Sequence, residues 1–133
     1  VDRASTARNM SIHPDLLEKI LNFRDERDWA QFHTPKDLAA GLAIEAAELQ
    51  EIFLWKKPEE MAETIALKKN ELAAELADIT WFLLLLSHEL DIDLVAAVKS
   101  KLVHNADKYP ADKVRGSSKK YNEYDNDQPH TAE

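Results

Sequence analysis

The chain has 133 residues, of which 44% are hydrophobic and 32% charged, enough for one domain with a core. Its net charge of −8 opposes nonspecific nucleic-acid binding, and the absence of cysteine excludes disulfides and thiolate metal sites. The longest apolar run, residues 79–86, broken only by Thr80, is far shorter than the roughly 20 residues of a membrane span. With no targeting segment visible, we expect a cytoplasmic protein without nucleic-acid or membrane partners.

The composition predicts an all-α fold, because only two glycines occur and the strong helix formers Leu, Ala, Glu and Lys dominate. Residues 1–10 show no apolar periodicity and are interpreted as an extension outside the domain, either native or left from cloning. The domain itself is assigned to residues 11–121, and residues 122–133 are predicted to be a disordered tail. A first helix is predicted over residues 14–28, with Pro14 in its first turn.

The second helix is predicted over residues 35–55. Thr34 is its expected N-cap, followed by Pro35 at the first helical position and by Asp37 in the first turn. Pro58 ends it, and residues 58–64 are expected to be a linker or a short helical turn.

A third, longest helix is predicted over residues 65–89, with one apolar stripe formed by Leu72, Leu76, Ile79, Leu83 and Leu86. Its second half is apolar around almost the whole circumference, so it must be covered on every side, and partner subunits are expected to supply part of the cover. A fourth helix follows over residues 94–108, ended by Pro110, and residues 111–133 are expected to be irregular. Together these helices predict an antiparallel four-helix-type bundle.

Two pairs of carboxylates border the apolar stripes of the second and third helices. Glu45 and Glu48 are three residues apart, as are Glu75 and Asp78, so each pair shares one helical face. On antiparallel neighbours the four would converge, and Mg²⁺, which prefers carboxylate oxygens, would relieve their repulsion. The alternative is that these acids decorate solvated surfaces. A di-iron bundle is excluded, because none of the five histidines has a Glu three residues before it.

The order E-x-x-E, a gap, then E-x-x-D resembles the signature of the MazG-like all-α NTP pyrophosphohydrolases. Residues 26–33 and 53–56, with Lys108-Tyr-Pro and Arg115-Gly-Ser, look like the dCTP pyrophosphatase branch of that family. The resemblance implies hydrolysis of a nucleoside triphosphate to the monophosphate and pyrophosphate, by a dimer or a dimer of dimers. It also implies that the ligands of a catalytic Mg²⁺ are Glu45, Glu48, Glu75 and Asp78. Glu71 is either an outer ligand or a solvated surface residue.

The resemblance also implies a set of substrate-binding residues. It supports Lys108, Tyr109 and Arg115 on the phosphate side and Trp29 and Trp55 on the base side. Lys101 and Asn105 join the phosphate side because they share a polar stripe of the fourth helix with Lys108 and Tyr109, and His33 is a candidate for a contact with the edge of the base. The alternatives are that the lysines are merely solvated, that the aromatic residues plug the bundle ends, and that His33 caps the second helix. For Phe32, plugging the bundle end is the preferred interpretation.

The mammalian-type members of the branch carry a histidine where this chain has Ile20. Its replacement predicts a substrate range of dCTP, dATP or a modified dNTP, in nucleotide-pool housecleaning. The competing hypothesis is a non-catalytic, helical, oligomeric interaction module whose acidic face binds metal.

Overall fold

The structure, a computed structural model, describes residues 14–124, so the predictions for residues 1–10 and for residues 125–133 lie outside the described part. Between those limits every regular element is helical, which confirms the all-α class. The longer helices are α1 (Pro14–Glu26), α2 (Pro35–Phe53), α3 (Met61–Leu67), α4 (Lys69–Glu89) and α5 (Leu94–Lys108). One-turn helices α6 (Ala111–Val114) and α7 (Tyr121–Tyr124) follow. The chain divides after Leu94 into two compact units, each described by itself below.

The first two helices begin where the sequence predicts and end two residues earlier. Asp28 adopts a left-handed φ of 54°, and the Trp29 amide donates to the Arg24 carbonyl at 3.1 Å, which closes α1. After a 3₁₀ turn over Ala30–Phe32, α2 begins as predicted: Thr34 Oγ1 accepts a hydrogen bond from the Asp37 amide at 3.2 Å, and Pro35 opens the helix.

The predicted third helix is wrong at its start. The chain forms a 3₁₀ turn over Pro58–Glu60 and the separate helix α3, and only then α4. Lys68, at φ −104° and ψ 15°, leaves the helical region and separates the two. No proline or glycine lies near Lys68, so the residue pattern carries no signal for this break.

The core lies among α1, α2 and α4. Its buried side chains are Leu17, Ile20, Leu38, Leu84 and Leu85, each worth about 1.5–3 kcal/mol of transfer free energy. Arg24 fastens α1 to the end of α4, donating from Nη1 to Glu89 Oε1 at 3.1 Å. Leu76, predicted on the apolar stripe, is instead 54% exposed. The buried face of α4 is centred on Leu84 and Leu85. A single stripe extended from there toward the start of the helix does not stay on the buried side as far as Leu76.

The second unit, from Val95 onward, has a different character. None of the side chains of α5 or α6 is buried, and Val98, Leu102 and Val103 are exposed. The segment after Pro110, predicted to be irregular, contains α6 and α7. Of the helices between residues 14 and 124, none has the length and apolarity needed to cross a membrane.

Candidate active site

Three glutamates from two helices converge in the first unit. One carboxylate oxygen from each of Glu45, Glu48 and Glu75 lies within 4.8 Å of the others. Glu45 and Glu75 are partly buried, and Glu48 is exposed. Asp78, the fourth predicted ligand, is outside this group, although its charge acts on both Glu45 and Glu75. The helices therefore bring three of the four predicted carboxylates together.

The convergence follows from the antiparallel packing of α2 on α4. Leu38 shares the core with Leu84 and Leu85 at one end, and Glu48 approaches Glu75 at the other. Residue numbers thus increase along α2 in the direction in which they decrease along α4. Because residues three apart share a helical face, both acid pairs turn toward the contact between the helices.

Without a cation this arrangement raises the pKa of two of its members. Burial raises the pKa of Glu45 to about 7, assisted by a hydrogen bond and the charge of Glu48 and by the charges of Asp78 and Glu75. Burial also raises the pKa of Glu75, with the charges of Glu48 and Asp78 acting in the same direction and a hydrogen bond from Glu45 opposing them. The group thus holds negative charge against an electrostatic cost.

The donor chemistry of the group fits a hard divalent cation. Glu45 Oε2 and Glu75 Oε2 are buried, and neither has a hydrogen-bond partner among the described residues. Buried carboxylate oxygens left unpaired are costly, and a cation would satisfy both atoms at once. All the donors are oxygens, which is the ligand set that Mg²⁺ prefers.

An aromatic cluster surrounds Trp29, one of the predicted base contacts. Phe23 stands edge-to-face against Trp29, with ring centroids 5.9 Å apart, and against Trp81 of α4 at 5.3 Å. The Arg27 guanidinium lies 3.5 Å from the Phe23 ring centroid. Trp29 remains 45% exposed, and Phe32, expected to plug the bundle end, is 62% exposed. The plugging interpretation of Phe32 is therefore wrong.

His33 lies beside the ion pair that joins α1 to α4. Burial lowers its pKa, the positive charge of Arg24 lowers it further, and the charge of Glu89 opposes both. Its Nδ1 is buried and has no hydrogen-bond partner within the described part of the chain. The cap of α2 is Thr34, so the capping alternative for His33 is wrong. A neutral imidazole with an unsatisfied nitrogen suits hydrogen bonding to a ligand.

Trp55 follows the end of α2 in an unusual state. Its side chain is 89% exposed and its φ is 64°, in the left-handed region that bulky residues rarely occupy. The other non-glycine residues at positive φ between residues 14 and 124 are Asp28 and Asp91, a type that tolerates this conformation. Backbone strain of this kind clusters at functional sites.

In the second unit, part of the predicted phosphate-binding set is gathered around Tyr121. Lys108 Nζ lies 4.7 Å from the Tyr121 ring centroid, and Tyr109 stands edge-to-face to the same ring at 6.3 Å. Lys101 and Asn105 are exposed on α5, and Arg115 is exposed directly after α6. Gly116 follows Arg115 with φ 77°, which allows the chain to turn there.

The sequence interpretation missed Phe23 and Arg27 as supports of Trp29. Their spacing of four was a usable signal, because residues four apart are neighbours on a helix and Arg27 directly follows the end of α1. The contact of Phe23 with Trp81 carries no local signal, since it joins helices far apart in the chain.

Comparison with known proteins identifies relatives over most of the chain. Residues 41–124 match the model of the MazG-like family. Human dCTP pyrophosphatase 1 is 39% identical over 120 residues, covering 89% of this chain and 68% of that protein. The Bos taurus dCTP pyrophosphatase 1 is 42% identical over 121 residues, covering 89% and 69%.

A solved structure agrees with these relatives. The crystal structure of a pyrophosphatase from Archaeoglobus fulgidus DSM 4304 superimposes with a TM-score of 0.70 at 42% identity, covering 72% of this chain and 90% of that one. The family match begins at Gly41, within α2, and includes both acid pairs. The chain belongs to the MazG-like family.

Proposed function

We propose that the chain is a Mg²⁺-dependent nucleoside triphosphate pyrophosphohydrolase that acts on deoxynucleotides. One water hydrolyses the anhydride bond between the α- and β-phosphates, and the products are the monophosphate and pyrophosphate. Because the curated relatives are dCTP pyrophosphatases, the predicted enzyme class, a hydrolase of phosphoric anhydrides, is confirmed. The substrate and the metal are the parts that we propose.

The observation that carries the proposal is the convergence of Glu45, Glu48 and Glu75 with unpaired buried oxygens. Asp78 acts electrostatically on the same group, and we include it among the ligands. Bound there, Mg²⁺ would neutralise the charge of the triphosphate and assist activation of the attacking water. The protein's contribution is to hold the carboxylates on two packed helices, so that little reorganisation is needed on binding.

The remaining residues are assigned to the two ends of the nucleotide. Trp29 and Trp55 offer exposed ring faces to the base, and His33 offers its Nδ1. Lys101, Lys108 and Arg115 supply positive charge to the phosphates, with Asn105 and Tyr109 as hydrogen-bonding partners. Ile20 lies buried in the core, so it offers the base no polar contact and no direct means of selecting cytosine.

We further propose that the enzyme domain covers residues 11–121 and works as a dimer or a dimer of dimers. Exposed Val98, Leu102 and Val103 on α5 give an apolar surface that association would cover. The proposed role is housecleaning of the nucleotide pool in the cytoplasm.

The test is pyrophosphate release from dCTP and from dATP, with Mg²⁺ and with EDTA, for the wild type and for Glu48→Gln. Glu51→Gln is the matched control, because Glu51 is exposed on the same helix and outside the carboxylate group. We expect release that EDTA and Glu48→Gln abolish and that Glu51→Gln preserves. No release from any common dNTP by the folded protein would refute the proposal and favour the interaction module.

A further inference from the structure

Gly41 of α2 lies directly against the ring of Phe82 on α4. A Cβ added to Gly41 would lie 2.5 Å from Phe82 Cε1 and 2.8 Å from both Cδ1 and Cζ. Real Cβ atoms essentially never approach other heavy atoms below 3.0 Å. The ring thus occupies the space that the side chain of any other residue at position 41 would need.

This contact lies one helical turn from Glu45 on α2; on α4 it lies one turn from Asp78 and two turns from Glu75. Gly41 precedes Glu45 by four residues on α2, and Phe82 follows Asp78 by four residues on α4. Residues four apart lie on the same face about 6 Å apart along the axis. In the antiparallel register, the Gly41–Phe82 contact is therefore the layer next to the glutamates, between them and the core at Leu38, Leu84 and Leu85.

Helices are stiff over one turn, so the separation of α2 and α4 at this layer carries into the next. Within 4.8 Å, three carboxylates tolerate little displacement before they cease to converge on one cation. We propose that Gly41 is a positioning residue, which lets the Phe82 ring set the α2–α4 spacing at which Glu45, Glu48 and Glu75 share a metal ion. This inference rests on the proposed function for the identity of the cation.

An open space beside Gly41 would give alanine the opposite effect. Glycine weakens the interior of a helix, so Gly41→Ala would raise the melting temperature if the space were available. The clash with Phe82 removes that gain and moves the helices apart. Shortening the ring should remove the clash, and the pair Gly41→Ala with Phe82→Leu should behave as a compensated contact.

The experiment measures Mn²⁺ binding by calorimetry without nucleotide, in parallel with helix content, melting temperature and pyrophosphate release. The proteins are the wild type, Gly41→Ala, Phe82→Leu and the double variant. Ala43→Ser is the control, because it enlarges an exposed small residue on the opposite face of α2. Phe82→Trp enlarges the ring instead of the glycine, and it keeps the test valid if Gly41→Ala does not fold.

We expect Gly41→Ala and Phe82→Trp to weaken Mn²⁺ binding at least about tenfold, the range of lost outer-shell support, with helix content unchanged. The double variant should regain most of the affinity, and Ala43→Ser should match the wild type. Unchanged affinity in both enlarged variants, or equal loss with and without Phe82→Leu, would overturn the inference. Wild-type Mn²⁺ binding without pyrophosphate release would instead reject the proposed function. The Mn²⁺ affinities of the variants would then still decide whether Gly41 positions the glutamates.

Discussion

The two units of the chain hold their predicted site residues in different ways. In the first, the glutamates stand on helices anchored by buried side chains such as Leu38, Leu84 and Leu85. In the second, α5 has no buried side chain, and Lys108 is held by local contact with Tyr121. The same family pattern is thus carried by a packed scaffold in one unit and by short-range contacts in the other.

The difference between the two units indicates how each would contribute to the free energy of binding the proposed metal and nucleotide. The carboxylate group is assembled before any ligand arrives. The packing of α2 against α4 offsets the repulsion among its carboxylates. The proposed phosphate-binding cations have no comparable scaffold among the described residues of the second unit, so their side chains would lose conformational entropy on binding. Changes in the carboxylate group should therefore affect turnover most, and changes at the proposed phosphate-binding cations should affect substrate affinity.

The largest expected effect is at Glu75. Glu75→Gln removes a charged oxygen from the group and should lower pyrophosphate release at saturating Mg²⁺ by at least about 100-fold. This loss is larger than the one expected when only a residue that supports a metal ligand is removed. Glu71→Gln is the comparison, because Glu71 is exposed and paired with Lys68 Nζ at 2.9 Å. It should retain activity within a few-fold. Equal losses in the two variants would place Glu71 among the ligands.

The second expected effect is on substrate affinity. Lys108→Ala should raise the KM for the nucleotide about tenfold, the value of one charge-assisted contact, with kcat changed much less. Lys99→Ala, an exposed lysine on the same helix, should leave both constants unchanged. Steady-state kinetics of the two variants decide the matter. A fall in kcat without a rise in KM would show that Lys108 acts on the reaction and not on binding.

The helical class and the acid pairs could be predicted because both depend on local spacing. Glu45 and Glu48 share one helical face by their numbering alone, as do Glu75 and Asp78, and antiparallel packing then brings Glu75 to the first pair. The break at Lys68 was not predictable, since neighbouring residues are ordinary helix formers and tertiary packing decides the bend. The Gly41–Phe82 contact was likewise not predictable, because it joins two helices that are far apart in the sequence.

The third prediction concerns pH and metal together. The pKa of Glu45 is raised from 4.5 to about 7, so the metal-free folded state keeps a proton that the unfolded chain loses across that range. The free energy of unfolding should therefore fall as pH rises from about 4.5 to 7, and the destabilisation should be complete above pH 7. The proposed Mg²⁺ would bind the ionised form, so saturating Mg²⁺ should reverse the trend.

Melting temperatures of the metal-free protein and of Glu45→Gln between pH 5 and pH 8 check this effect. The glutamine variant cannot ionise, so its melting temperature should vary less with pH and should exceed that of the metal-free wild type at the alkaline end. Parallel profiles for the two proteins would show that Glu45 carries no such penalty.

The smallest effect is expected at Trp55, where the strain of the left-handed backbone has no compensating burial. Trp55→Asn places a residue that tolerates positive φ and should raise the free energy of unfolding by about 0.5–1 kcal/mol. Leu54→Asn is the control, because Leu54 is also exposed but has φ −59°, and it should bring no gain. Denaturant unfolding measures both, and nucleotide KM is followed alongside. A Trp55→Asn protein that is more stable but binds nucleotide more weakly would show that the strained backbone serves to place the Trp55 ring for binding. A gain in stability without loss of binding would remove Trp55 from the base site.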